Sequence, residues 1–202
     1  MTTAPDGEKM SNWDEIRSWR KEQRAALIDR RLAIPHEDRM RWSERITARI
    51  LCHLKAKPPS LLGFYWPFKG EYDPRPIARR LHAQGMGLAL PVVVQKAAPL
   101  VFRAWQPGTR LVPGVWSIPV PADGETVLPD ALLVPLVGFD RQAFRLGYGG
   151  GFYDRTLAAM SRRPLTVGIG FGLASLDTIH PQPHDISMDV VITEEPPMRQ
   201  GA

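Results

Sequence analysis

Between positions 145 and 155 the chain reads Arg-Leu-Gly-Tyr-Gly-Gly-Gly-Phe-Tyr-Asp-Arg, shortly after an apolar run that ends at Phe139-Asp140. An apolar stretch of strand length that gives way to glycines and then a helix-like segment is the layout of an anion cradle. Glycine lets backbone N–H groups turn toward a phosphate, and the helix start adds its positive end. Arg145 and Arg155 flank the run and suit phosphate oxygens. Asp154 is the type of ligand that magnesium takes when it travels with a nucleotide. The glycine spacing is neither the Walker pattern nor a dinucleotide fingerprint, so the residues alone read equally well as a tight connection.

The elements that must position this run follow from periodicity. Residues 1–10 read as a disordered lead and 197–202 as a flexible tail, leaving one domain over 11–196. A helix is expected from Ser11 or Asn12 to the neighbourhood of Pro35, with Asp14 and Glu15 in its positive first turn. A second helix, about 36–54, carries Trp42, Ile46, Ile50 and His53 at three and four spacing. Residues 60–66 read as a buried strand, followed by a loop with Glu71 and Asp73, a helix over 75–84 and a strand over 88–94. Next come an alternating strand at 100–105 and a segment with Trp116 that reads as loop. Strands at 131–137, 165–171 and 189–193, with a helix over 153–160, complete the chain. This order predicts a three-layer αβα fold with a mostly parallel sheet, preceded by two N-terminal helices. Such sheets bind ligands at the carboxyl ends of their strands, where Glu71 and the glycine run both fall.

Composition narrows the function classes. The formal charge is +5, but the basic residues of the first fifty positions alternate with acids at helical spacing. That pattern reads as a solvated helix face and suits anionic small molecules better than nucleic acid, for which no finger, heptad or aromatic-basic strand is present. The single cysteine, Cys52, excludes an internal disulfide and is expected as a small buried hydrophobe. His180 and His184 stand four apart in a proline-rich loop, which is not a helical zinc pair. No stretch has the length of a membrane span, so a cytoplasmic protein is expected.

The segment Phe139-Asp140 with Arg145 to Arg155 resembles the signature of the 5-formyltetrahydrofolate cyclo-ligases, also called methenyltetrahydrofolate synthetases. Supporting matches are Arg30-Arg31, Pro35, Glu37 and Arg39, the loop Gly70-Glu71-Tyr72-Asp73, and His184-Asp185 with Asp189. The resemblance implies an ATP- and magnesium-dependent closure of 5-formyltetrahydrofolate to 5,10-methenyltetrahydrofolate. It also implies site residues. Arg20 and Arg24, Arg145, Gly147, Tyr148, Gly149, Gly150, Gly151, Phe152, Tyr153 and Asp154 would bind ATP. Asp154 and Asp189 would hold Mg2+. Phe68, Glu71, Trp116 and Phe152 would face the folate, and Glu71, Arg145 and Tyr153 would act in catalysis. A monomer using reduced folate and ATP is expected, with no nucleic-acid or membrane partner. Three departures from the family pattern stand out: Ala143 and Ala174 replace a usual glycine and glutamine, and Arg20 replaces a lysine. They motivate an alternative, a non-catalytic relative that binds folate or nucleotide as a sink or regulator.

Overall fold

The computed structural model describes residues 12–196; the expected lead, the Ser11 cap and the tail from 197 lie outside the described residues. In chain order the elements are α1 (Trp13–Leu32), α2 (His36–Ala56), β1 (Leu61–Gly63), α3 (Arg75–Ala83), β2 (Gly87–Val92) and β3 (Val101–Ala104). Then come β4 (Leu111–Pro113), β5 (Pro119–Pro121), β6 (Thr126–Val127), β7 (Ala131–Pro135), β8 (Gly138–Phe139) and β9 (Arg145–Leu146). The last elements are α4 (Phe152–Ala159), β10 (Leu165–Ile169) and β11 (Val190–Ile192). Asn12 starts α1 by accepting the Asp14 N–H on Oδ1 at 3.1 Å, which satisfies one of the free donors of the first turn. Pro35 separates α1 from α2 with extended backbone, φ −55° and ψ 148°.

Seven strands form one sheet in the order β11-β10-β7-β1-β2-β3-β6. The first five are parallel, and β3 and β6 extend the edge antiparallel. The mostly parallel α/β arrangement expected from sequence is therefore present. From β1 the chain first builds outward through β2, then returns as β7 on the other side of β1. The carboxyl ends of β1 and β7 thus lie side by side where connections leave in opposite directions, the switch point at which such sheets open a crevice.

Alternation along the strands divides the core between two faces. Leu62, Leu133, Val167 and Ile169 pack with Ile46 and Ile50 of α2 and Ile77 and Leu81 of α3. Leu132 and Val134 point the other way, toward Leu157 of α4 and Met188. Each such aliphatic chain contributes about 1.5–3 kcal/mol relative to exposure, and the period of two commits β7 to carry helices on both faces.

Two expectations are corrected and one hairpin is added. The 111–121 segment is not loop but a β4–β5 hairpin around a tight helical turn, Val115–Ser117. Its prolines 113, 119 and 121 hid the strand signal, although an edge pair tolerates them. The short β8–β9 hairpin also went unread. Cys52 is exposed: the buried stripe of α2 is Ile46, Ile50 and Leu54, and Cys52 stands two positions off it.

Candidate active site

A cleft of about 360 Å³ opens at the switch point, large enough for much of a small organic ligand. Fourteen of the fifteen site residues expected from sequence line it, from Arg20 and Arg24 on α1, through Phe68, Glu71 and Trp116, to the run Arg145–Asp154; Asp189 does not.

The glycine run forms one wall. Gly149 and Gly151 take φ of 89° and 62°, left-handed values that a side chain resists. Gly151 is the residue that caps α4, so the N–H groups of its first turn begin at the cleft. Arg24 backs the run by donating from Nε to the Gly147 carbonyl at 2.8 Å. Burial, then the neighbouring Arg20 charge, lowers the Arg24 pKa, the condition in which an added anion is welcome. Arg145 runs beneath the loop: it pairs with Asp154 at 2.9 Å, lies 5.2 Å from the Tyr153 ring centre, and leaves its buried Nε without a partner. Arg155 does not line the cleft. Its guanidinium turns under the loop onto the Gly150 carbonyl.

Glu71 brings a carboxyl from the opposite side. Its Oε2 accepts the Phe68 N–H at 2.9 Å and its Oε1 accepts the Tyr148 hydroxyl at 2.7 Å, while that hydroxyl accepts from Arg31 at 2.7 Å. Burial pushes the Glu71 pKa up to about 7, against the Tyr148 hydrogen bond, the Arg31 charge and the Phe68 N–H. A carboxyl poised near neutrality can hold or take a proton. Burial also raises the Tyr148 and Tyr153 phenols well above their usual range, so both remain protonated donors.

Aromatic rings close this side. Trp116 lies nearly parallel to Phe68, with ring centres 6.2 Å apart, and tilts toward Tyr148 at 6.1 Å. The hairpin presents it through two left-handed residues, Trp116 and Ser117, and it remains 54% exposed, so its face is open to a flat ligand.

Arg20 sits differently from a free phosphate ligand. It donates to the Ile179 and His180 carbonyls at 3.0 and 2.9 Å and pairs with Asp185 at 2.5 Å, tying the 177–187 loop to α1. Among the described residues Arg17 also lines this face, exposed and not expected from sequence. Trp13 and His184 also line the cleft and meet edge to face at 6.0 Å. Trp13, Arg17, Arg20 and Arg24 follow at spacings of four, three and four, so one helix face carried the missing signal. Tyr65 and Trp66, read as strand, instead leave β1 and line the cleft.

Magnesium on a nucleotide needs one or two protein carboxylates beside the phosphates. Asp154 fits: it faces the cleft, and its two oxygens each accept one donor, from Arg145 and from the Ile186 N–H at 3.3 Å, leaving lone pairs free. Asp189 does not fit. It stands just before β11, at the end of the sheet away from the cleft, where Oδ2 accepts the Thr166 N–H at 2.7 Å and hydroxyl at 2.8 Å. Among the described residues no three His, Cys, Asp or Glu side chains gather.

Two departures from the family pattern are now located. Ala143 does not force another turn; it takes φ 61° itself, with Asp140 Oδ1 accepting the Gln142 and Phe144 N–H groups at 3.0 and 3.1 Å. Ala174 packs with Leu136 and Phe139, away from the cleft.

Fold and site define an α/β protein with a glycine-rich wall and an aromatic, carboxyl-bearing wall in one switch-point cleft. The chain belongs to the 5-formyltetrahydrofolate cyclo-ligase family, whose model matches residues 16–194. It is 30% identical over 174 residues to the 5-formyltetrahydrofolate cyclo-ligase of Escherichia coli (strain K12), covering 83% of this chain and 96% of that one. To the enzyme of the same name from Mycolicibacterium smegmatis it is 31% identical over 182 residues, 84% and 91% of the two chains. The NMR structure of Aquifex aeolicus 5,10-methenyltetrahydrofolate synthetase superposes with a TM-score of 0.74 at 29% identity, covering 91% of this chain and 94% of that chain. A Mycoplasma pneumoniae 5,10-methenyltetrahydrofolate synthetase shares the fold, with a TM-score of 0.72 at 22% identity over 87% and 99%. No helix of the described residues is long and apolar enough to cross a membrane.

Proposed function

We propose that this protein closes 5-formyltetrahydrofolate to 5,10-methenyltetrahydrofolate at the expense of ATP, releasing ADP and phosphate. The observation that carries this reading is the Tyr148 bridge, which sets a glycine anion cradle and the buried Glu71 carboxyl in one cleft. A formamide oxygen is a poor leaving group. Transfer of the γ-phosphoryl group to it releases ADP, attack by the folate N10 closes the ring, and phosphate departs with the former formyl oxygen.

The N–H groups of Gly149 to Gly151 and the start of α4 hold the phosphates, with Arg24 and Arg17 on the α1 side. Arg145 contributes positive charge from beneath, where exclusion of water strengthens it. Asp154 would hold magnesium, which would supply neutralisation of the phosphate charge. Tyr153 offers its O–H to the reacting oxygens. Glu71, ionised in the productive form, takes the N10 proton as the ring closes, while Phe68, Trp116 and Phe152 enclose the pterin. Positioning and charge are what phosphoryl transfer asks of a protein. The protein works as a cytoplasmic monomer on these small molecules.

The purified protein, supplied with ATP, magnesium and 5-formyltetrahydrofolate, produces the near-ultraviolet absorbance of the methenyl product. No absorbance gain at high protein concentration sinks the proposal.

A further inference from the structure

The loop that carries Phe68 and Glu71 has an unusual backbone. Lys69 takes φ 47° and Gly70 φ 74°, two left-handed residues in succession, and the first is not glycine. Such a conformation persists only where its surroundings over-determine it. Two hydrogen bonds close the turn from its ends, Glu71 N–H to the Phe68 carbonyl at 3.2 Å and Phe68 N–H to Glu71 Oε2 at 2.9 Å, and neither engages the carbonyls of the left-handed pair.

Two arginines from the helical hairpin supply the explanation. Arg31, at the end of α1, donates from Nε to the Lys69 carbonyl at 2.9 Å, from Nη1 to the Leu136 carbonyl at 3.1 Å and from Nη2 to the Tyr148 hydroxyl at 2.7 Å. Arg39, on α2, donates to the Gly70 carbonyl and to the Arg31 carbonyl, the latter at 2.6 Å. Both carbonyls of the left-handed pair are thus taken by guanidinium groups. Gly70 is closely packed as well: a Cβ there would stand 3.1 Å from Arg39 Nη1.

Neither arginine lines the cleft. Arg31 is 5% exposed and reaches the loop after β1, the end of β7 and the glycine run at once. Through Lys69 it fixes the backbone that bears Glu71, and through Tyr148 it fixes the partner of the Glu71 carboxyl. We infer that Arg31 and Arg39 are positioning residues for the folate half of the cleft, acting through the Lys69 and Gly70 carbonyls and the Tyr148 hydroxyl. This rests on the reading of Phe68 and Glu71 as the folate-facing wall.

Arg39 is the residue to test, since it is half-buried and makes no contact with the glycine run. The full chain and its Arg39→Met and Arg39→Lys variants are titrated calorimetrically, separately with 5-formyltetrahydrofolate and with magnesium and a non-hydrolysable ATP analogue. Arg39→Met weakens the folate roughly tenfold, as a displaced contact does, and leaves the nucleotide within about twofold. Arg39→Lys, which keeps one donor on one carbonyl, falls between. A merely structural role moves both ligands together. Equal loss of both, or an unchanged folate affinity in Arg39→Met, overturns the inference. If Arg39→Met does not fold by circular dichroism, Arg39→Lys alone is read by the same two titrations, and a folate affinity equal to that of the wild type overturns the inference. Wild-type protein that fails to bind the folate sinks the functional reading instead.

Discussion

The Tyr148 hydroxyl donates to Glu71 Oε1 at 2.7 Å, joining a residue inside the glycine run to a carboxyl that arrives from the loop after β1. The two halves of the cleft therefore share a hydrogen bond, and the ionisation of Glu71 depends on it. Because that bond favours the charged carboxylate, Tyr148→Phe raises the Glu71 pKa beyond about 7. With Glu71 acting as the base, the acid limb of the kcat/KM profile moves to higher pH by about 1 unit or more, the size of a hydrogen bond to a charged group. An acid limb that stays in place in Tyr148→Phe contradicts this role for Glu71.

Stability has the opposite pH dependence from activity. The folded pKa of Glu71, about 7, exceeds the ordinary 4.5, so the folded state binds the proton more tightly than the unfolded chain. Its contribution is fully present below the unfolded pKa and is lost as pH rises from about 4.5 through 7. Thermal melts of the wild type should decline across that window relative to Glu71→Gln, whose side chain does not titrate. Parallel melting curves for the two proteins would count against a buried, titrating Glu71.

The two aspartates expected to hold magnesium separate by experiment. Asp154→Ala leaves Arg145 buried without its partner, which costs about 3–5 kcal/mol, so the gentler Asp154→Asn is the better probe of the metal. It weakens magnesium-dependent nucleotide binding. Asp189→Asn loosens the tie to Thr166 and lowers stability by about 1–2 kcal/mol, with magnesium dependence unchanged. Titrations of magnesium with the nucleotide analogue check both, and a magnesium defect in Asp189→Asn alone would reverse the assignment.

Ala143 holds φ 61° between Asp140 and Phe144. Ala143→Gly relieves the left-handed strain, about 1–2 kcal/mol, against an unfolded-state entropy cost of about 0.4–1 kcal/mol. A net gain of up to about 1.5 kcal/mol in denaturant unfolding is expected. A loss of stability would mean that the Ala143 methyl, packed against the core cluster that holds Leu132 and Met188, matters more than its backbone.

The long helices, the parallel sheet and the glycine run were legible because each rests on a local signal: a period of 3.6 or 2, or a cluster that only glycine satisfies. The β4–β5 hairpin was not, since its prolines mimic loop and its pairing is a tertiary event. The placement of Glu71 and the Arg145–Asp154 run in one cleft was legible from the strand order and the glycine cluster. Arg31 and Asp189 were not, for a different reason. Their roles depend on which carbonyl or N–H lies opposite after folding: Arg31 meets Lys69, 38 residues away, and Asp189 meets Thr166, 23 away. A residue's type says that it can make such bonds, and only the topology says with whom.

If the formyl oxygen is phosphorylated on the way to ring closure, that oxygen leaves with the phosphate. Substrate carrying heavy oxygen in its formyl group is turned over with ATP and magnesium in ordinary water, and the released phosphate is analysed by mass spectrometry. The phosphate is expected to carry the label, one heavy oxygen for each methenyl product formed. Unlabelled phosphate accompanying methenyl product would contradict it.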